Sequence, residues 1–290
     1  MAVDLTPDLH EELWQAIAPH LPPRPRDHNP KGGRPLKDDK SCLRGILYVL
    51  REGCRWQKIP CQELGCPSGS TCWRRFHLWT QQGVWSAAHV QLLDLLGEES
   101  VLHLEQIIVD SASVRAQQGG DHTGPSPVDR RKKGCKRHVL GDANGIPLVV
   151  QTGPANQRDD GKLEDLLEAF PVLTDGKTGE VHLQPKKLLG DRGYGFAYLI
   201  TLVLLYGIVS LLSPRGKDKP HGSGLGKERW VIERTMSWWT HFRRINLCYE
   251  RKGEHFQAFH ELAACVLCAN KLRAARAAKR ADNQPLPGAA

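Results

Sequence analysis

No apolar run in this chain is long and unbroken enough to cross a bilayer. The longest, residues 199–212, is interrupted by Thr201, Tyr206, Gly207 and Ser210; it reads as a buried helix, a turn at Gly207 and a buried strand. The first residues, Met1-Ala2-Val3-Asp4, offer neither a basic nor an apolar leader, so a cytoplasmic protein with no membrane partner is expected. The HExxH pair, the GxSxG elbow and the GxxxxGK[ST] phosphate loop are all missing, which weighs against zinc proteases, serine hydrolases and P-loop enzymes. Nine cysteines, an odd number at irregular spacing, give no disulfide framework. Cys54, Cys61, Cys66 and Cys72 lie close together without any CxxC pair. The one CxxC, Cys265 to Cys268, stands alone in an Ala/Leu-rich stretch. Both groups read as small buried hydrophobes, and no structural metal is expected at either.

What is present is an ordinary globular composition, 40% hydrophobic and 25% charged over 290 residues. Forty Lys and Arg against 32 Asp and Glu leave a net charge of +8, a balance that suits a polyanionic partner without naming one. Residues 5–21 form an amphipathic helix with Leu9, Leu13, Trp14, Ile17 and Leu21 on one face and Thr6 or Asp8 as cap. Residues 22–35, rich in Pro, Arg and Gly, form a basic linker. Two helices follow, separated by a Gly/Pro/Cys-rich break over 53–69. The second, capped by Ser70, carries Trp73, Phe76 and Trp79 on one side with Arg74 and Arg75 beside them. This arrangement fits a helix-turn-helix-like reader of DNA, or equally a helical bundle with a solvated basic face.

Beyond residue 104 short apolar runs alternate with turns and helices, as in an α/β domain. A strand over 106–110 ends in Asp110, and a second over 186–190 ends at Asp191. Between them Gly141-Asp142-Ala143-Asn144-Gly145 joins two strands as a hairpin. A helix over 228–246 places Arg229, Glu233, Ser237, Thr240 and Arg244 on one side. Val231, Trp238, Phe242 and Ile245 lie opposite, with Ile232 and Trp239 alongside. Each acid alone reads as a turn, cap or surface residue. Together, three acids from two strand ends and a helix are the oxygen-donor set that a two-metal phosphoryl-transfer site requires. Asp142, Asp159 and Asp160 are the competing carboxylates and are assigned to turns and caps.

Asp110-Ser111-Ala112-Ser113, Gly190-Asp191-Arg192-Gly193-Tyr194 and Arg229-Trp230-Val231-Ile232-Glu233-Arg234-Thr235 resemble the acid-bearing motifs of the DDE transposases of bacterial insertion sequences, more narrowly the insertion-sequence-five group. The stretches 129–147 and 155–159 resemble that group's segment between the first two acids. Gly33-Arg34-Pro35, Gly53-Cys54-Arg55-Trp56 and Thr71-Cys72-Trp73-Arg74-Arg75-Phe76 resemble its helical DNA-binding region. The resemblance implies an α/β ribonuclease-H-like catalytic domain, a mixed sheet with flanking helices, preceded by an all-α helix-turn-helix-like N-terminal domain. The chain then divides into an N-terminal helix and linker (1–37), a DNA-binding domain (38–100), a catalytic domain (101–270) and a basic tail (271–290).

The implied activity is metal-dependent nicking at transposon ends and transfer of the 3′-hydroxyl into target DNA. Two Mg²⁺ or Mn²⁺ ions would be held by Asp110, Asp191 and Glu233, and the protein would act on the nucleoid as a homodimer or larger assembly. A DNA-binding relative without catalysis and a nuclease that cleaves without joining are the alternatives. The family's helix signature has a tyrosine and a lysine where this chain has Gly226 and Thr240. The lysine's hold on phosphate would pass to Arg234, His241, Arg243 or Arg244. Arg74 and Arg75 would reach the groove. Arg130, Arg131, Lys132, Lys133, Lys136 and Arg137 would grip phosphates, with Arg229 and Arg234 beside the acids.

Overall fold

The computed structural model describes residues 6–23, 37–173, 178–179, 184–214 and 226–282. Most of the basic linker, including Gly33-Arg34-Pro35, and the residues beyond 282 lie outside that set. Four helices come first: α1 (Pro7–Ile17), α2 (Asp39–Glu52), α3 (Gly69–Gln81) and α4 (Val84–Glu98). Side-chain caps start three of them. Thr6 accepts from Leu9 N at 3.3 Å, Asp38 from Ser41 N at 2.7 Å, and Ser68, rather than the expected Ser70, from Thr71 N at 3.4 Å. Gly53 ends α2 in the left-handed region (φ 66°), where a side chain would also press on the Arg243 backbone. The tight turn among these helices falls between α3 and α4, at Gln82 and Gly83, not between α2 and α3 where the sequence pattern places it. The α2–α3 connection is much longer and contains a short 3₁₀ turn over Trp56–Lys58.

The strands β1 (Gln106–Arg115), β2 (Gly124–Pro125), β3 (Lys133–Asp142), β4 (Pro147–Pro154), β5 (Lys187–Gly190) and β6 (Val209–Leu212) form one mixed sheet. Along it the order is β4-β3-β1-β5-β6, with β2 on the β4 side of β3. β3 is antiparallel to both β1 and β4, whereas β5 runs parallel to β1 and β6 parallel to β5. The parallel connections are made by α5 (Leu163–Glu168) and α6 (Ala197–Leu205). Then come α7 (Gly226–Trp239), α8 (Arg243–Asn246) and the thirty-residue α9 (Gly253–Asp282).

Two expected elements differ. The helix expected over 228–246 breaks at Thr240 and His241, so Phe242 and Ile245 lie off the α7 periodicity. The face α7 buries is Val231, Ile232, Thr235, Met236 and Trp239, while Trp238 is only half-buried. The helix and strand expected to be buried within 199–212 are covered on one side only: Leu199 and Val203 are buried, whereas Tyr198, Leu204, Leu205 and Val209 are exposed.

One large apolar core runs from Leu9, Leu13 and Ile17 of α1 through Trp79 and Trp85 to Ile107, Ile108 and Val109 of the sheet, and on to Phe259 and Leu262 of α9, with a small separate cluster of Ala116, Cys135, Cys248 and Phe256. Residues 38–100 and 101–270 therefore share one interior. His89 on α4 is hydrogen-bonded across that boundary to the Pro147 carbonyl at 2.9 Å. Residues 271–282 continue α9 without a break. Arg276 bonds Glu12 at 2.7 Å and Glu99 at 3.4 Å, and Lys279 pairs with Glu99.

Candidate active site

Asp110 is not at a strand end. β1 continues five residues past it, paired with β3 as far as Arg115, but the parallel pairing with β5 stops at Val109↔Gly190. Ile107, Ile108 and Val109 are fully buried because β1 is covered on both faces while β5 accompanies it. Asp110 is the first position past that shelter. Asp191 follows Gly190 at the matching point of the neighbouring strand, so the two acids leave adjacent parallel strands at one level. This is the carboxyl-end crevice of a parallel pair. Asp110 Oδ1 accepts from Ser111 N at 2.8 Å, and Asp191 Oδ1 from Gly193 N at 2.8 Å.

The third acid is carried by α7, which is seated on the β3–β4 hairpin. Thr235 Oγ1 donates to the Gly145 carbonyl at 2.5 Å, and Arg234 Nη2 to that of Asn144 at 2.7 Å. Gly145 (φ 78°) must be glycine, because a Cβ there would fall 2.5 Å from Thr235 Oγ1 and 3.0 Å from the Val231 carbonyl. With α7 so fixed, Arg229 Nη2 reaches to 3.7 Å from Asp110 Oδ2, and Glu233, one turn on, is exposed on the same side.

Electrostatics tie the three together. The Asp110 carboxyl is pushed up to about 6, mainly by burial, and further by the charges of Asp191 and Glu233; the Ser111 N–H and Arg229 oppose this. Tyr194, fully buried, is held well above the ordinary phenol value by burial and then by Asp159, Asp110 and Asp191. Asp159 is thus part of the site, although its spacing suggested only a turn. It accepts from Ser111 Oγ at 2.6 Å and Lys136 Nζ at 3.1 Å, and lies 3.8 Å from His138 Nδ1. The signal that could have found it was its place in the 155–159 motif. Asp142 is a turn-former that accepts from Asn144 N and Ile146 N, and Asp160 pairs with Arg158 and Tyr198.

The expected DNA-contacting residues divide. Arg74, Lys132, Lys133 and Arg243 are exposed. Arg75 is committed to Asp39 at 2.7 Å. Lys136, Arg137 and Arg244 are internal, each less than 9% exposed. Lys136 serves Asp159 and the Gln157 carbonyl, Arg137 lies over the Trp239 ring at 5.4 Å, and Arg244 bonds Glu250 and the Cys54 carbonyl. The cations of Lys136 and Arg244 are taken up by the fold's own acceptors, whereas Arg137 Nε and Nη1 are buried without a hydrogen-bond partner. Arg234 is half-buried, stacked between Trp230 and Trp238 at 4.6 and 4.8 Å, and Arg229 faces Asp110.

Three carboxylates at the carboxyl end of the central strands, close enough for Asp191 and Glu233 to help raise Asp110, define the class: a ribonuclease-H-like enzyme that works with a hard divalent cation. As all-oxygen donors they suit such an ion, although their oxygens do not all lie within 4.8 Å of one another.

Comparison with known proteins agrees. Residues 103–269 match the family described as "Transposase DDE domain", and residues 9–89 the one described as "Putative transposase of IS4/5 family (DUF4096)". The chain is 38% identical over 170 residues to the "Putative transposase for insertion sequence element IS402" of Burkholderia cepacia, covering 59% of this chain and 77% of that one. It is 41% identical over 122 residues to the "Insertion element IS402 uncharacterized 16.2 kDa protein" of the same organism, covering 42% of this chain and 82% of the relative. In fold it is similar to the piggyBac transposase of a synaptic complex with hairpin DNA, with a TM-score of 0.54 at 9% identity over 96% of this chain and 75% of that one. The chain belongs to the DDE transposase family, in its insertion-sequence 4/5 branch, and is a DNA transposase that uses divalent metal.

Proposed function

We propose that this transposase nicks DNA at the terminal inverted repeats of its element and joins the freed 3′-hydroxyl to target DNA, with Asp110, Asp191 and Glu233 holding two Mg²⁺ or Mn²⁺ ions. The observation that carries the reading is that Asp191, just past β5, and Glu233, on α7, stand near enough to Asp110 on β1 for their charges to add to the burial that raises its carboxyl to about 6. When bound, such ions activate the attacking water or 3′-hydroxyl and stabilise the leaving oxygen. The chain's own residues do the positioning. Asp159, Ser111 and Lys136 lock the β1–β3 pair behind Asp110, Arg229 offsets part of its charge, and the seat on the hairpin fixes Glu233.

Arg74, Lys132, Lys133 and Arg243, being exposed, are positioned to contact phosphates and so to set register without reading sequence. Synapsis of two ends calls for a homodimer or larger assembly on DNA, acting in the cytoplasm at the nucleoid. The test is Asp191→Asn. Metal-dependent nicking of a terminal-repeat duplex should disappear while binding of that duplex persists; unchanged cleavage in the variant would remove the reading. Joining of a pre-cut 3′ end separates a transposase from a nuclease that only cleaves.

A further inference from the structure

Where α3 meets the start of α9, the structure gathers a second set of donors that the acid site does not use. His77 stands on α3 and His255 in the first turn of α9, and His77 Nδ1 lies 2.9 Å from His255 Nε2. Glu254 Oε1 lies 3.8 Å from the same His255 nitrogen. One donor atom from each residue falls within 4.8 Å of both others, the only group of three or more metal-capable side chains so gathered among the described residues.

The rings are held by packing. Trp73 stacks on His77 at 5.4 Å with 14° between planes, and Trp73 and Phe76 lie against His255 at 6.4 and 5.6 Å. His255 is buried, His77 half-buried and Glu254 exposed, so the cluster opens toward solvent on its carboxylate side. Two imidazole nitrogens facing each other can share one proton between them or direct two lone pairs at one cation. A carboxylate at the same point favours the cation.

We propose that His77, His255 and Glu254 bind one divalent cation of the zinc class, with water completing the coordination, and that this ion clasps the helical N-terminal part of the chain to α9. Two nitrogens and one carboxylate with an open fourth position are a zinc donor set; Mg²⁺, which wants oxygen, would not choose it over the three acids. The charged neighbours leave room for it. Lys252 Nζ, 3.4 Å from Glu254 Oε1, is exposed and free to swing into solvent, and Arg244 is already neutralised by Glu250. A further imidazole, His122, lies against Gly253, one residue before Glu254.

The test uses the full chain without an affinity tag, stripped with chelator and kept in excess Mg²⁺ so that the acid site is filled. Titration with Co²⁺ should develop a visible absorption band that saturates at one equivalent. Zn²⁺ should displace it and raise the unfolding temperature. His77→Asn and Glu254→Gln should each weaken binding by at least the roughly 10–100-fold lost when a mere supporting partner of a ligand is removed. Glu254 is exposed, so Glu254→Gln should keep the native circular dichroism spectrum. The band should persist in Asp191→Asn, which separates this ion from the catalytic ones. A wild-type chain with no saturable band would mean that the imidazoles share only an N–H···N bond, and would overturn the proposal. So would a band that is unchanged in both ligand variants or lost in Asp191→Asn.

Discussion

At Asp110 the chemistry of the site and the stability of the fold are the same measurement. Its carboxyl sits near 6 in the fold against an ordinary value of 3.8. Between about pH 4 and 6 the folded chain keeps a proton that the unfolded chain has lost, so stability falls as pH rises through that window and stays lower above it. Two pKa units set the size at on the order of 3 kcal/mol. Other buried groups titrate over the same range, so the contribution is read as the difference between the urea-unfolding pH profiles of the metal-free protein and of Asp110→Asn, the variant lacking this fall between about pH 4 and 6. Mg²⁺ should restore stability to the parent chiefly above about pH 6, where the ligand is deprotonated, and much less to Asp110→Asn.

The basic residues divide by the same logic. Lys132→Ala and Lys133→Ala should leave stability within about 0.5 kcal/mol and each lower the slope of log K against log salt by about one. Arg244→Ala should instead destabilise the fold by about 3 kcal/mol, because Glu250 is left buried without its partner. The sequence shows the charges but not this division. Lys136, Arg137 and His138 look like a solvated run because Trp239 and His260, which lie near Arg137, come more than a hundred residues later.

Elements carry the acids, and how legible each was depends on how local its cause is. The strands leading to Asp110 and Asp191 were readable, because a run such as Ile107-Ile108-Val109 requires burial on both faces wherever it lies. That β1 continues past Asp110 was not readable; it depends on antiparallel pairing with β3, a long-range contact that leaves no trace in the hydrophobic pattern of β1. Helix α7 was legible as a helix but neither its length nor its centre of burial was, since its end at Thr240 is set by the chain turning to bury Phe242 and Ile245, and the buried face centres on Ile232, Thr235 and Trp239 instead of Trp238. Its position rests on the hairpin turn, which makes Gly145 the sensitive point. Gly145→Ala would place a methyl against Thr235 and Val231 in a left-handed backbone, and should cost about 2 kcal/mol or more. Nicking should fall with it while Mg²⁺ binding weakens, because Glu233 moves with α7. Equilibrium unfolding and a metal titration on the same preparation would check both.

Over the whole molecule, the two matched segments behave as one body. The match over 9–89 and the match over 103–269 leave a gap where a domain boundary would be drawn, and composition also changes there. Yet Leu13 on α1 is fully buried in the same core as β1, and α9 carries that core from the sheet to α1 and α4. The connection was invisible in the sequence because α1 and α9 stand at opposite ends of the described chain, and their complementary charges, Glu12 with Arg276 and Asp8 with Arg273, gain meaning only once the helices are side by side.

A shared core makes a definite demand on unfolding. Leu13→Ala should remove about 2–5 kcal/mol, and the loss should appear in every probe at once. Tryptophan fluorescence, sensitive to Trp79, Trp85 and Trp239, and far-ultraviolet circular dichroism should move to lower denaturant together in a single transition. Two transitions, with the sheet outlasting the N-terminal helices, would instead make those helices a separable module, joined to the acid-bearing sheet by the chain alone and not by a common interior.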